Sequence, residues 1–141
     1  MIYRIPMLLH MILFLHGFLA QANVPKSNVK EKFEKGIEEF EGRNFQKAIR
    51  DFTIVIKADP EFISAYTYRA MAKIEINRLS DALTDLENVL KAFPEDHEAI
   101  YLKGMVLEQT GDLSQANKLY TKAINLAPDF TLAYCKIAFT F

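Results

Sequence analysis

Few side chains in this 141-residue chain are of the kinds that make or break bonds, and those few are not gathered together. There are three histidines and one cysteine. His10 and His16 sit in an apolar stretch with no carboxylate or thiol beside them, so they lack the mixed donor set a structural or catalytic metal would need. His97 ends the run Pro94-Glu95-Asp96-His97, where a solvent-exposed turn opening a helix accounts for it. Cys135 is the only cysteine, so no internal disulfide exists. Helical spacing puts it near the inner face of the last helix. A buried or inert thiol is the expectation there, with pairing between chains as the alternative. The carboxylates Glu38, Glu39, Asp81 and Asp85 fall at spacings that suit solvated helix surfaces. The sequence contains no glycine-rich phosphate loop, no His-Glu-x-x-His, no paired cysteines and no serine in a nucleophile elbow. Catalysis, a bound cofactor and a metal centre are therefore not expected. A formal net charge of −1 gives no basic face for a phosphate backbone, so nucleic acid is not expected as a partner either.

What the chain does have is a period. Pro60, Pro94 and Pro128 stand 34 residues apart, and the residues between them align position for position. With each proline counted as repeat position 32, position 8 is Gly36, Ala70, Gly104 and Ala138. Position 20 is Ala48, Ala82 and Ala116, position 24 is Phe52, Leu86 and Tyr120, and position 27 is Val55, Val89 and Ala123. Small residues at 8 and 20 let two antiparallel helices approach closely, and the large residue at 24 fills the space beside them. The proline then ends the second helix, because it cannot donate the backbone hydrogen bond and clashes with the preceding turn. The fold class that follows is an all-α solenoid of antiparallel helix pairs, with three repeats and the first helix of a fourth.

In chain order, residues 1–22 are foreign to the rest. Arg4 is the one charge, an apolar stretch follows over 5–19, and Ala20-Gln21-Ala22 has the small-x-small form of a signal-peptidase site. A cleaved signal peptide over 1–22 is expected, and with it an exported protein (secreted, endoplasmic reticulum lumen or periplasm). The alternative is a membrane anchor through residues 2–22, which the following Lys26, Lys30, Lys32 and Lys35 would favour if the segment were never cut. A linker over 23–28 leads into the repeats at about 29–62, 63–96 and 97–130, with a partial unit over 131–141. Asn28 with Glu31 has the form of a capping box. Helices are expected over 29–41, 45–58, 65–77, 80–93, 98–110 and 113–127, and from 131. The last stretch, Lys136-Ile137-Ala138-Phe139-Thr140-Phe141, lacks the polar outer face a solenoid end needs. A longer repeat array, or an end that meets another molecule, is the expectation.

The unit from Ile63 through Ala65-Tyr66-Thr67-Tyr68-Arg69-Ala70 to Ala82-Leu83-Thr84-Asp85-Leu86 and Pro94 resembles the tetratricopeptide repeat family nearly throughout. The family's tryptophan is absent. Its tight-turn glycine is Gly111 in the third repeat, Asn77 in the second and displaced to Gly42 in the first. The resemblance implies a non-catalytic protein-binding module in which the first helices of successive repeats line a concave groove. It also implies a test for one known mode, a clamp of Lys, Asn and Arg side chains for the EEVD carboxylate tails of cytosolic chaperones. At the five clamp positions this sequence has Phe33, Ile37, Tyr68, Glu98 and Leu102, so that mode is expected to be absent.

On the same helix face, Phe33, Ile37, Thr67, Tyr68, Met71, Tyr101, Leu102 and Met105 form the expected partner-binding groove, an apolar and aromatic stripe with adaptable methionines. It suits a hydrophobic segment or an amphipathic helix. The competing expectation for these residues is packing between neighbouring helices. A signal segment followed by such repeats also resembles the lumenal J-domain co-chaperones, although the His-Pro-Asp triplet and a Lys-Asp-Glu-Leu tail are missing. The alternative function is a self-assembly unit, a homo-oligomer stacking through the apolar C-terminal helix.

Overall fold

The computed structural model describes the backbone of residues 26–138 and the side chains of residues 28–136. The expected signal segment, the first half of the linker (23–25) and the final residues 139–141 lie outside the described residues, and the second half of the expected linker is helical. Within them the chain forms seven helices and no strand: α1 (Lys26–Glu41), α2 (Phe45–Ala58), α3 (Ile63–Glu75), α4 (Leu79–Ala92), α5 (His97–Gln109), α6 (Leu113–Leu126) and α7 (Thr131–Ala138). Each expected helix is present, with ends shifted by up to three residues. The largest shift is at α1, which is already helical at Lys26. Asn28 thus lies inside the first turn of the helix.

The helices pack as pairs, α1 on α2, α3 on α4 and α5 on α6, each pair joined to the next. First helices also touch one another, α1 with α3 and α3 with α5, which makes them the inner layer of a stacked solenoid. The close approach within a pair comes from the small residues. A Cβ added at Gly36 would stand 2.6 Å from Phe52 Cε1, and one at Gly104 would stand 2.6 Å from Tyr120 Cε1. Where the large residue is the slimmer Leu86, the equivalent position accepts Ala70. Phe52, Leu86 and Tyr120 are all fully buried, as are Ala48, Ala82 and Ala116 one turn before them on the same helices. Each such large side chain contributes roughly 1.5–3 kcal/mol by leaving water.

All three turns inside the pairs close in the same way, with a left-handed residue at one repeat position. That residue is Arg43 (φ 59°), Asn77 (φ 59°) and Gly111 (φ 91°). In each, two backbone N–H groups reach back to the end of the preceding helix, as in Asn77 N to Ile74 O (2.9 Å) and Arg78 N to Lys73 O (2.8 Å). The displaced Gly42 of the first turn therefore leaves the left-handed position to an arginine. Two hydrophobic clusters result. One joins α1, α2 and the Ala65/Ala72 side of α3; the other joins the Ala70/Ile74 side of α3 with α4 to α7. Helix α3 is thus buried on both flanks, as expected of a middle repeat.

Candidate peptide-binding groove

The inner layer presents α1, α3 and α5, and their packing decides which of the expected groove residues face outward. Phe33 is half-buried among three rings, with centroids 5.7 Å from Phe52, 4.7 Å from Phe62 and 5.5 Å from Tyr68. Tyr68 in turn leans on Phe40 and Phe52. Thr67, Tyr101 and Leu102 are buried, with 8%, 8% and 5% of their surface exposed. Tyr101 packs against Tyr120 (5.5 Å) and Phe130 (5.1 Å). Burial pushes its phenol above the ordinary value. Ile37, Met71 and Met105 are half-buried, Ile37 packed against the first cluster and Met71 and Met105 against the second. The stripe is therefore continuous with the core, and Phe33, Ile37, Tyr68, Met71 and Met105 are the members that keep accessible surface.

Between the first turns of α3 and α5 the groove deepens into a pocket of ≈ 440 Å³. Ser64, Thr67 and Tyr68 form one wall, with Ile63 and Glu61 at its rim; Phe93, Asp96 and Glu98 form the other. Three of these residues are carboxylates. Asp96 caps α5, its side chain accepting a hydrogen bond from the Ala99 N–H (2.8 Å). Glu98 stays open to solvent over part of its side chain. Even so, partial burial first and the Asp96 charge second raise its carboxyl above the usual range, with His97 acting in the opposite sense. Sequence reading placed Glu98 on this face but missed Glu61, Phe93 and Asp96, which come from the loops before α3 and α5. The signal available was the Phe93-Pro94-Glu95-Asp96 run, which marks a helix end without showing which face it borders.

Three other expectations are corrected. Asp85 is not on a solvated surface: it is 1% exposed and holds two cations from α3. Arg69 grips it at both oxygens (2.9 and 2.6 Å) and Lys73 donates to Oδ2 (2.7 Å), while Arg69 also donates to Thr53 of α2 (3.0 Å). Burial is sustainable only because each oxygen of the carboxylate meets a charged donor. His97 is half-buried, edge-on to Phe130 at 5.0 Å. Cys135 is exposed. Among the described residues no group of three or more His, Cys, Asp or Glu side chains is arranged to hold a metal ion. No helix among them is long and apolar enough to cross a membrane.

Helix pairs stacked in one register, with an inner face built from first helices, define a helical-repeat protein of the interaction-scaffold class. The chain matches the tetratricopeptide repeat family over residues 69–129. It is similar to human "Tetratricopeptide repeat protein 6", 30% identical over 117 residues, which is 83% of this chain and 22% of that protein. It is also similar to the "DnaJ homolog subfamily C member 7 homolog" of Dictyostelium discoideum, 26% identical over 106 residues, covering 72% of this chain and 20% of that protein. The chain thus spans about a fifth of the length of these relatives. Among solved structures, the first repeat domain of Spaghetti (RPAP3), bound to the HSP90 peptide SRMEEVD, superposes with a TM-score of 0.76 at 22% identity. It covers 84% of this chain and 94% of that one.

Proposed function

We propose that this chain is a non-catalytic adaptor whose concave groove binds an apolar segment or an amphipathic helix of a partner protein, as a scaffold or in a co-chaperone-like role. The observation that carries the reading is the inner face itself. Ile37, Met71 and Met105 are half-buried along successive first helices, flanked by the Phe33–Tyr68 ring cluster. Two unbranched thioethers in such a row adapt to apolar ligands of differing shape. The similarity to a J-domain homologue is in keeping with co-chaperone work. The peptide in the Spaghetti structure is acidic, and this chain is not suited to that ligand, because Glu98 and Leu102 stand where a clamp needs cations. Export through residues 1–22 is part of the proposal, and N-terminal sequencing of the mature protein checks it.

Binding of permanently unfolded, carboxymethylated lactalbumin to the full chain tests the groove. The double variant Met71→Gln, Met105→Gln should bind it about tenfold more weakly with an unchanged circular dichroism spectrum, since each methionine keeps its length and loses only its apolar character. Undiminished binding would overturn the reading. A second reading, self-assembly, is favoured by the exposed Leu132 (57%) and Tyr134 (49%) on α7. It requires a concentration-dependent dimer in light scattering that Leu132→Glu abolishes.

A further inference from the structure

We propose that the pocket between α3 and α5 anchors one basic side chain, arginine or lysine, of the peptide segment that the groove binds; this rests on the groove reading above and names the partner chemistry. Three features of the pocket converge on that ligand. The first is charge: Glu61 and Asp96 reach it from the loops before α3 and α5 and Glu98 from α5, with no lysine or arginine among the described residues that line it. The second is the pair of rings that flank them. Tyr68 is half-buried, and Phe93, 54% exposed, is among the most open large apolar side chains of the fold. Their faces suit the aliphatic stem of a long basic residue and the flat guanidinium of arginine.

The third feature is Thr67 at the pocket wall, more than nine-tenths buried, whose hydroxyl makes no hydrogen bond within the described residues. Threonines elsewhere on these helices close their hydroxyls onto the preceding turn, as Thr53 does to Ile49 O (2.6 Å) and Thr121 to Asn117 O (2.9 Å). Thr67 does not, and its hydroxyl is left as an acceptor on a residue that lines the same pocket as the carboxylates. Crowding of Glu98 by Asp96 also makes a cation favourable there, since a cation relieves the repulsion that partial burial intensifies. An acidic ligand would meet the opposite field. The first turn of α5, which would otherwise attract an anion, is already engaged by Asp96 through the Ala99 N–H.

Selection from a random peptide-display library on the full chain tests this, with the variant Glu61→Gln, Glu98→Gln selected in parallel. The expected wild-type consensus is an apolar anchor with Arg or Lys at a fixed spacing, and the variant should keep the apolar anchor and lose the basic position. Replacing that basic residue by norleucine in the selected peptide should weaken wild-type binding about tenfold, the effect of one charge-assisted contact. An apolar consensus without a basic position overturns the pocket assignment and leaves the groove reading standing. An acidic consensus also overturns the assignment, and no consensus at all overturns both. If the double variant melts at a lower temperature, the norleucine comparison on wild-type protein decides.

Discussion

At repeat position 8 one methyl group separates a folded helix pair from a clash. Gly36 and Gly104 stand opposite aromatic rings, whereas Ala70 stands opposite Leu86, so the residue at position 8 is matched to the bulk at position 24. Gly36→Ala should destabilise the protein by about 1–3 kcal/mol through overpacking against Phe52, even though alanine is the better helix former. Adding Phe52→Leu should recover part of that loss, and a double-mutant cycle by thermal melting reads the coupling. Asp85 is the second sensitive residue. Asp85→Ala would leave Arg69 and Lys73 buried without their common anion and should cost about 3–5 kcal/mol in urea unfolding. Arg43 is held at φ 59° where the third repeat has Gly111. Arg43→Gly should stabilise by about 1 kcal/mol in the same assay, because a side chain in that backbone region is strained.

At the scale of elements, α5, α6 and α7 are tied by one carboxylate. Glu108 accepts from Tyr120 Oη (2.6 Å) and pairs with Lys136 Nζ at 2.9 Å. Burial raises the Glu108 pKa, but the hydrogen bonds from Tyr120 and Lys136 outweigh it and hold the carboxyl below the ordinary 4.5. A depressed carboxyl stabilises the fold above the unfolded value, and that contribution is lost as pH falls through the folded one. Tyr120 behaves in the opposite sense. Burial and the nearby Glu108 charge raise its phenol far above 10.0. Above about pH 10 the unfolded phenol ionises while the folded one stays protonated, so stability falls as pH rises further. Tyr120→Phe should cost about 1.5–3 kcal/mol at neutral pH, the range for a hydrogen bond to a charged group. It should also flatten part of the alkaline decline in a melting series from pH 8 to 11, Tyr101 supplying the remainder.

At the scale of the whole molecule, stability should spread along the stack as a sum of repeat and interface terms, with α3 and α4 best protected because both flanks of their pair are covered. Hydrogen exchange should show the slowest amides there and faster ones in α7, whose Leu132 and Tyr134 remain open to water. The inner face is apolar along its length and acidic at one point. An acidic tail such as SRMEEVD should therefore show no measurable binding by calorimetry at peptide concentrations up to about 1 mM, a level at which even a weak site would register.

The repeat itself was legible because it is written in local terms. Three prolines in register fix the helix ends, small and large residues at positions 8, 20 and 24 fix the pairing, and Asn77 and Gly111 mark two of the turns. Sequence also named the inner face, since spacing along a helix determines which residues share a side. Tertiary structure alone decided how much of that face stays free. Tyr101 is covered because Tyr120 and Phe130, from elements that follow, close over it, and Leu102 is buried in the same cluster. Asp85 looked like a surface carboxylate because its two cations come from another helix, one of them 16 residues away. The acidic pocket escaped notice for the same reason: Glu61, Asp96 and Glu98 belong to different repeats, and only the stacking of α3 beside α5 brings their charges to one place.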